Sequence, residues 1–260
     1  MKLGVVNIAR RRHSNRRHRG GSFGFLYKVL SMLVICGAIV AALTLFFRVG
    51  TVVVTGQERY TAEEVREASG VAEGDNLILL NKHTVAHQLV EKLPYIEEVH
   101  PYRRLPDTLI IEVKECGEPL AVLQDGFAWL VSPGGKIVEQ RSASQAGDYP
   151  VISGCQLLAP TVGTPMALAT EYAAQQQSLL DLLDALEQAG MMDQVEGIRL
   201  DDLSVLVMEY GGRFTVEMPY GADYPRKLRA LQSVIDKLET NQTGTVELTW
   251  DNGEVHFIEN

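Results

Sequence analysis

Hydrophobic residues in this chain follow three patterns: one long uncharged run, segments with helical spacing, and segments that alternate with polar residues. The uncharged run covers 29–47 and contains no Asp, Glu, Lys, Arg or His. As a helix it would reach about 28 Å, close to the thickness of a bilayer's hydrocarbon core. The run therefore predicts a single membrane-spanning helix near the start of the chain.

The segment that follows the run predicts the order β-α-α-β-β. Thr61 and Glu64 have the spacing of a capping box, and Asn81 can cap a second helix. The last strand alternates, so its apolar residues should face one way. The predicted elements are a strand at 49–54, helices after Thr61 and Asn81, and strands at 96–104 and 108–114, with Leu109, Ile111 and Val113 facing inward.

The rest of the chain, from Pro119 to Asn260, predicts a second unit made mostly of β-hairpins. The Asn252-Gly253 pair is a strong hairpin signal, and Val246, Leu248 and Trp250 would point to one side of the strand before it. The predicted elements are hairpins at 127–140, 203–218 and 245–258, and helices at 168–186 and from Tyr224 onward with Leu228, Leu231, Ile235 and Leu238 on one face.

Charge is distributed unevenly about the uncharged run. Residues 1–28 hold eight Lys or Arg and no acid, whereas the residues after the run hold 16 basic and 33 acidic side chains. Basic residues beside a span stay in the cytoplasm, so we expect a single-pass protein with a cytoplasmic N-terminus. A cleaved signal peptide and a buried soluble helix are the alternatives, but the run is longer than a signal's apolar region and lacks a polar face.

Motifs for catalysis are missing from the sequence. It contains no P-loop, no G-x-G-x-x-G and no G-x-S-x-G. His83 and His87 share a helix face, but no third metal ligand is evident, so we interpret them as surface residues. We expect no enzyme activity, no metal and no cofactor. Whether Cys116 and Cys155 pair stays open, although we favour two free thiols.

Residues 48–115 resemble a POTRA domain. Three stretches carry the resemblance, and the last of them is long and specific. They are 52–56 (VVVTG), 61–65 (TAEEV) and 93–115 (LPYIEEVHPYRRLPDTLIIEVKE).

The whole arrangement resembles the FtsQ/DivIB family of cell-division proteins. A basic tail, one span, a POTRA-like unit and a mixed β domain occur in that order, and motifs of the second unit resemble those of the family at 127–138, 149–154 and 246–255. The closing motif departs from the family in two places, since Glu247 and Thr249 stand where Asp and Arg are usual.

The resemblance implies an α+β fold and a non-enzymatic function. The chain would be a bitopic scaffold of the bacterial divisome at the septum of the cell membrane, assembling and regulating septal peptidoglycan synthesis. Its partners would be FtsB/DivIC-like and FtsL-like bitopic proteins, with no nucleic acid. The expected domains are a basic cytoplasmic tail (1–28), a transmembrane helix (29–47), a POTRA domain (48–115) and an extracytoplasmic β domain of the FtsQ/DivIB type (116–260).

The resemblance also implies that partners bind the closing strands of the second unit. Edge strands can accept a further strand from a partner, and aromatic residues often anchor such contacts. The candidate residues are Thr249, Trp250, Gly253, Val255 and Phe257. Trp250 could equally pack in the core beside Leu248, because alternation cannot separate the two. The alternative functions are a POTRA-bearing transport or assembly factor and an extracytoplasmic enzyme.

Overall fold

The uncharged run forms most of a long helix in the computed structural model, which describes residues 22–147, 149–250 and 255–259. The helix, α1, covers Ser22–Phe46. Its segment Gly24–Phe46 is long and apolar enough to cross a membrane. The helix begins before the predicted 29–47, because no residue between Ser22 and Lys28 interrupts it. The chain divides into two compact units, and the boundary lies between Phe47 and Arg48.

The segment after Arg48 has the predicted β-α-α-β-β order. Thr61 caps the first helix with both hydrogen bonds of a capping box, and Asn81 accepts a hydrogen bond from His83 N–H at the start of the second. Gly56 ends the first strand at φ +85°, where a Cβ would collide with the carbonyl of Val113. The elements are β1 (Thr51–Thr55), α2 (Ala62–Ala68), α3 (Lys82–Lys92), β2 (Ile96–Arg104) and β3 (Thr108–Glu115).

These strands form a three-stranded sheet in the order β1-β3-β2, with β1 and β3 parallel and β2 and β3 antiparallel. The two helices cover one face of it. Alternation in β3 places Leu109, Ile111 and Val113 in the core, as predicted, together with Val85 and Leu89 of α3. The other face of the sheet is exposed to solvent.

The second unit is built on a nine-stranded sheet in the order β12-β11-β10-β9-β8-β7-β4-β5-β6. Five of its eight strand pairs are antiparallel and three are parallel in the part of the chain described. The strands are β4 (Leu120–Gln124), β5 (Phe127–Val131), β6 (Ile137–Ser142), β7 (Val151–Ser153), β8 (Val195–Arg199), β9 (Val205–Tyr210), β10 (Phe214–Pro219), β11 (Gly244–Glu247) and β12 (His256–Glu259).

Two helices make two of the three parallel crossovers of this sheet. Helix α4 (Ala173–Ala189) connects β7 to β8, and α5 (Tyr224–Ile235) connects β10 to β11. Their apolar faces share one core with the sheet, in which Leu179, Leu183 and Leu231 are fully buried. The α+β class, the POTRA order and the mixed, mainly antiparallel second domain with two helices are therefore confirmed.

The start of α4 corrects the predicted helix at 168–186. Leu168 lies in an extended segment and bridges to Leu157. The side chain of Gln176 accepts the N–H of Leu168 at 2.8 Å and donates to the carbonyl of Met166 at 3.3 Å, so one glutamine holds these residues extended beside the helix. The helix can begin only after a short 3-10 turn.

Three strands of the second sheet, β4, β7 and β8, were not predicted. All three are central strands with neighbours on both sides, and the buried residues of two of them, β4 and β8, do not alternate as those of a half-exposed strand do. The third, β7, has only three residues. The closing hairpin was predicted, but its strands are shorter than expected, and the predicted turn at 251–253 lies outside the described residues.

The POTRA domain and the nine-stranded sheet meet around Tyr95, which is 7% exposed. Its hydroxyl donates to Glu139 Oε2 of β6 at 2.6 Å, and its carbonyl accepts the N–H of Cys116 at 2.9 Å. The guanidinium of Arg59 lies 4.1 Å from the ring centre. Burial and the carboxylate of Glu139 raise the pKa of Tyr95, so the phenol stays protonated and donates.

Lys136 makes a second connection across this junction. From the turn between β5 and β6, its Nζ donates to the carbonyls of Val90 at 2.8 Å and Ile96 at 3.2 Å. Burial lowers the pKa of the ammonium group. Both acceptors belong to the POTRA domain, so the junction is held by polar contacts on two sides of Tyr95.

We predict that Tyr95→Phe destabilises the unit that begins at Arg48 by about 1–2 kcal/mol, because a buried hydrogen bond to a carboxylate is lost. Urea unfolding of residues 48–260 measures this. Tyr102→Phe is the matched control, since Tyr102 is exposed, and its effect should stay within about 0.5 kcal/mol. Equal losses in the two variants would contradict the role given to Tyr95.

The same junction should depend on pH. Hydrogen bonds from Arg141 and Tyr95 lower the pKa of Glu139 below its ordinary value of 4.5. The carboxylate is therefore stabilising above that value, and its contribution is lost as the pH falls through the lowered pKa of the folded state. The difference in unfolding free energy between the native chain and Glu139→Gln should be largest near neutral pH and shrink in acid. A difference that does not change with pH would contradict this.

Candidate functional site

The described members of the predicted partner-binding set lie at the closing strands of the second sheet: Thr249 and Trp250 follow β11, Val255 directly precedes β12 and Phe257 lies in β12. The indole of Trp250 is 51% exposed, so Trp250 does not pack in the core, whereas Leu248 is buried. Thr249 is half-buried. Gly253 lies outside the described residues.

Trp250 is positioned by two residues that the sequence did not mark as site residues. The ring centre of His256 lies 5.5 Å from that of Trp250, with the planes tilted by 40°. Lys227 Nζ of α5 donates to the carbonyl of Trp250 at 2.8 Å. Lys227 is 23 residues away in sequence, so no local pattern could have predicted the contact.

The two faces of β12 differ in character. Val255 and Phe257 turn towards the domain core, where the ring of Phe257 meets that of Phe214 edge to face at 6.3 Å between centres. His256 and Ile258 face the other way and are exposed. The strand is thus fixed to the core by one face and presents the other to solvent.

Hydrogen bonds of β11 show which way its backbone groups point. The N–H of Leu248 donates to the carbonyl of Glu217 in β10 at 2.8 Å. Successive residues of a strand direct their N–H and C=O groups to opposite sides. Thr245 and Glu247 therefore direct their N–H and C=O groups to β12.

The outer edge of β12 follows from this pattern. His256 and Ile258 stand opposite the two residues of β11 that point towards them, so their backbone groups pair with β11. Phe257 and Glu259 alternate with them and direct their N–H and C=O groups away from β11. Since β12 is an edge strand among those described, these groups face an open edge.

The opposite edge of the same sheet, at β6, is closed by the chain itself. Ile137 donates its N–H to the carbonyl of Thr164 at 2.9 Å and accepts the N–H of Gly163 at 2.8 Å. Lys136 also bridges to Pro165. A partner strand that adds to this sheet would therefore meet free backbone groups at β12 and occupied ones at the start of β6.

The three-stranded sheet of the POTRA domain has its own edges, β1 and β2. Strand β2 contains Pro101, which lacks an N–H, and a bulge between Ile96 and Glu98. Both features discourage strand addition. Strand β1 carries neither charge nor proline, but it begins only a few residues after Phe47.

No candidate metal centre is found among the described residues. They contain no group of three or more His, Cys, Asp or Glu that could hold a metal ion. Cys116 and Cys155 are free thiols, and burial raises the pKa of each to about 11. Neither thiol is therefore activated as a nucleophile at neutral pH.

The different settings of the two tryptophans lead to a test of Trp250. We expect Trp250→Ala to lower the unfolding free energy of residues 48–260 by less than about 1 kcal/mol, because its indole is exposed. Trp129 packs against the core and is the matched comparison, and Trp129→Ala should cost about 2–3 kcal/mol. Equal losses in urea unfolding would mean that Trp250 is a packing residue.

Comparison with known proteins agrees with this architecture. The family model described as "POTRA domain, FtsQ-type" matches residues 47–115. The cell division protein FtsQ of Syntrophotalea carbinolica is 28% identical over 81% of this chain and 76% of its own length. That of Geotalea daltonii is 25% identical over 76% and 70%.

The similarity extends to DivIB proteins. The cell division protein DivIB of Clostridium botulinum strain Hall is 22% identical over 89% of this chain and 91% of its own length. The similarity to these relatives thus extends well beyond the POTRA domain. With an FtsQ-type POTRA domain and relatives of both names along most of its length, the chain is similar to the cell-division proteins FtsQ and DivIB.

Proposed function

We propose that this protein is a membrane-anchored scaffold of the bacterial division machinery that captures partner strands at the open edge of its second sheet. Its relatives are named as cell-division proteins. The observation that carries the proposal is the outer edge of β12, where the backbone groups of Phe257 and Glu259 point to solvent beside the exposed Trp250. Main-chain hydrogen bonds there would give affinity without any chemical step.

The proposed domains follow the sequence. Residues 1–28 form a cytoplasmic tail, 29–47 the span, 48–115 the POTRA domain and 116–260 the β domain. The basic tail and acidic remainder support an N-terminus inside the cell and both domains outside. Digestion of the tail by protease added to intact cells would contradict this topology.

The proposed partners are FtsB/DivIC-like and FtsL-like bitopic division proteins. Their membrane-proximal extracytoplasmic segments would add to β12, with Thr249, Trp250, Gly253, Val255 and Phe257 at or beside the contact. Trp250 and Ile258 offer exposed apolar surface to such a strand, whereas Val255 and Phe257 mainly hold β12 against the core. Binding there would assemble the partners and regulate septal peptidoglycan synthesis.

Proline substitution in β12 tests strand addition directly. We expect Glu259→Pro to reduce capture of an FtsB/DivIC-like partner by at least about tenfold, because it removes an outward N–H without removing a bond to β11. Glu259→Ala is the matched control and should bind normally. The measurement is pull-down of the purified partner by the full-length protein, with binding titrated to obtain the dissociation constants.

The same titration applied to Trp250→Ala measures the contribution of the aromatic side chain to binding, separately from that of the backbone hydrogen bonds. Truncation of an interface aromatic commonly costs about 2 kcal/mol or more, so a further large loss of affinity is expected. Equal binding by the native protein, Glu259→Pro and the double variant Trp250→Ala with Val255→Asp would refute the assigned surface.

A further inference from the structure

The POTRA domain has one end that lies immediately after the apolar helix in the chain. Val49 is buried there, donates its N–H to the carbonyl of Asp75 at 2.8 Å and accepts that of Gly74 at 2.8 Å. Gly50 donates its N–H to the carbonyl of Asp107 at 2.8 Å. The loop before α3 and the β2–β3 hairpin are thus pinned to the first residues after the helix.

These two loops expose large apolar side chains. Leu79 is 73% exposed, Leu105 59% and Ile78 40%, whereas Leu77, which directly precedes Ile78, is fully buried. Asn76 fixes the first loop, because its Oδ1 accepts the N–H groups of Ile78 and Leu79, each at 2.9 Å. The exposure is therefore a property of an ordered turn.

Arginines accompany these apolar residues. Arg103 donates to the carbonyl of Leu80 at 2.6 Å and so ties the hairpin to the loop, and Arg104 beside it is exposed. Arg48, also exposed, pairs with Asn76 as an antiparallel bridge. We call Arg48, Ile78, Leu79, Arg104 and Leu105 the end patch.

The end patch lies at the end of the POTRA sheet opposite the junction with the β domain. Thr51, the first residue of β1, pairs with Thr108 just after the hairpin, whereas Thr55 pairs with Glu112 towards the other end. The chain passes into the β domain after Glu115 at that other end. The patch is consequently free of contacts with the nine-stranded sheet.

Very little chain separates this end of the POTRA domain from the apolar helix. Only Arg48 stands between Phe47 and Val49 in the sequence, and an extended chain advances at most about 3.5 Å per residue. If α1 crosses a membrane, too little chain remains to place another folded domain between the loops bonded to Val49 and Gly50 and the bilayer.

We propose that the end patch docks on the outer surface of the membrane itself. Leu79, Leu105 and Ile78 enter the boundary between headgroups and acyl chains, and Arg48 and Arg104 contact the phosphates of anionic lipids. Docking would fix the tilt of the POTRA domain and, through the Tyr95 junction, the direction of the β domain. The inference rests on the membrane anchoring in the proposed function.

Fluorescence quenching by brominated lipid tests this docking in the full-length protein. The chain is reconstituted in vesicles of phosphatidylcholine and phosphatidylglycerol, with or without brominated phosphatidylcholine, and the emission of the unsubstituted chain is subtracted. Leu79→Trp reports on the patch. Leu203→Trp is the matched control, because Leu203 is a comparably exposed leucine of the β domain, at 85%.

We expect quenching at Leu79→Trp to exceed that at Leu203→Trp by at least about twofold, since an inserted residue lies about 5–10 Å into the interface. Equal quenching at the two positions overturns the proposal. A blue-shifted but unquenched emission at Leu79→Trp would indicate contact with a second protein copy and would also overturn it. Leu105→Trp serves as an independent second reporter, in case one substitution disturbs the fold.

Two further variants distinguish membrane anchoring by α1 from docking of the end patch. Leu33→Trp lies within the apolar helix, and its failure to be quenched would refute membrane anchoring itself. Quenching at Leu33→Trp without quenching at Leu79→Trp would refute the end patch alone. Adding Arg104→Glu to Leu79→Trp should weaken quenching in vesicles with phosphatidylglycerol, and unchanged quenching would refute the phosphate contact.

Discussion

The hydrogen bond from Tyr95 to Glu139 determines how the two extended sheets of this protein are joined. The chain passes between them through residues 116–119, which lie in neither a helix nor a strand, so the covalent link alone would leave their angle free. Tyr95 removes that freedom, because its hydroxyl, carbonyl and ring are all engaged. Lys136 adds two hydrogen bonds to POTRA carbonyls from the other side. The POTRA domain and the β domain consequently form one compact arm.

That arm carries the candidate site far from the junction. Strand β6 lies at the junction and β12 at the opposite edge of nine strands, which at about 4.8 Å per strand places them about 38 Å apart. The segment around Thr164 closes the first edge, while the second stays open among the described strands. A partner strand that pairs with β12 would therefore lie at a distance and angle set by the junction.

Local patterns predicted those parts of the fold that depend on neighbouring residues. The capping box at Thr61, the cap at Asn81 and the buried face of β3 are of this kind. The late start of α4 depends instead on Gln176, whose amide holds an extended segment by tertiary hydrogen bonds. Strand β4 escaped prediction because burial on both faces removes the alternation that identifies a strand, whereas β8 is interrupted by a register shift after Val195 and β7 has only three residues.

The candidate site shows the same limit of sequence patterns. Alternation grouped Trp250 with Leu248, yet β11 ends at Glu247, and Lys227 and His256 then hold Trp250 outward. The family's usual Asp and Arg are replaced here by Glu247 and Thr249. Backbone pairing at β12 does not depend on those side chains, whereas a salt bridge to an arginine at 249 would. The proposed strand addition with an aromatic anchor is thus compatible with both replacements.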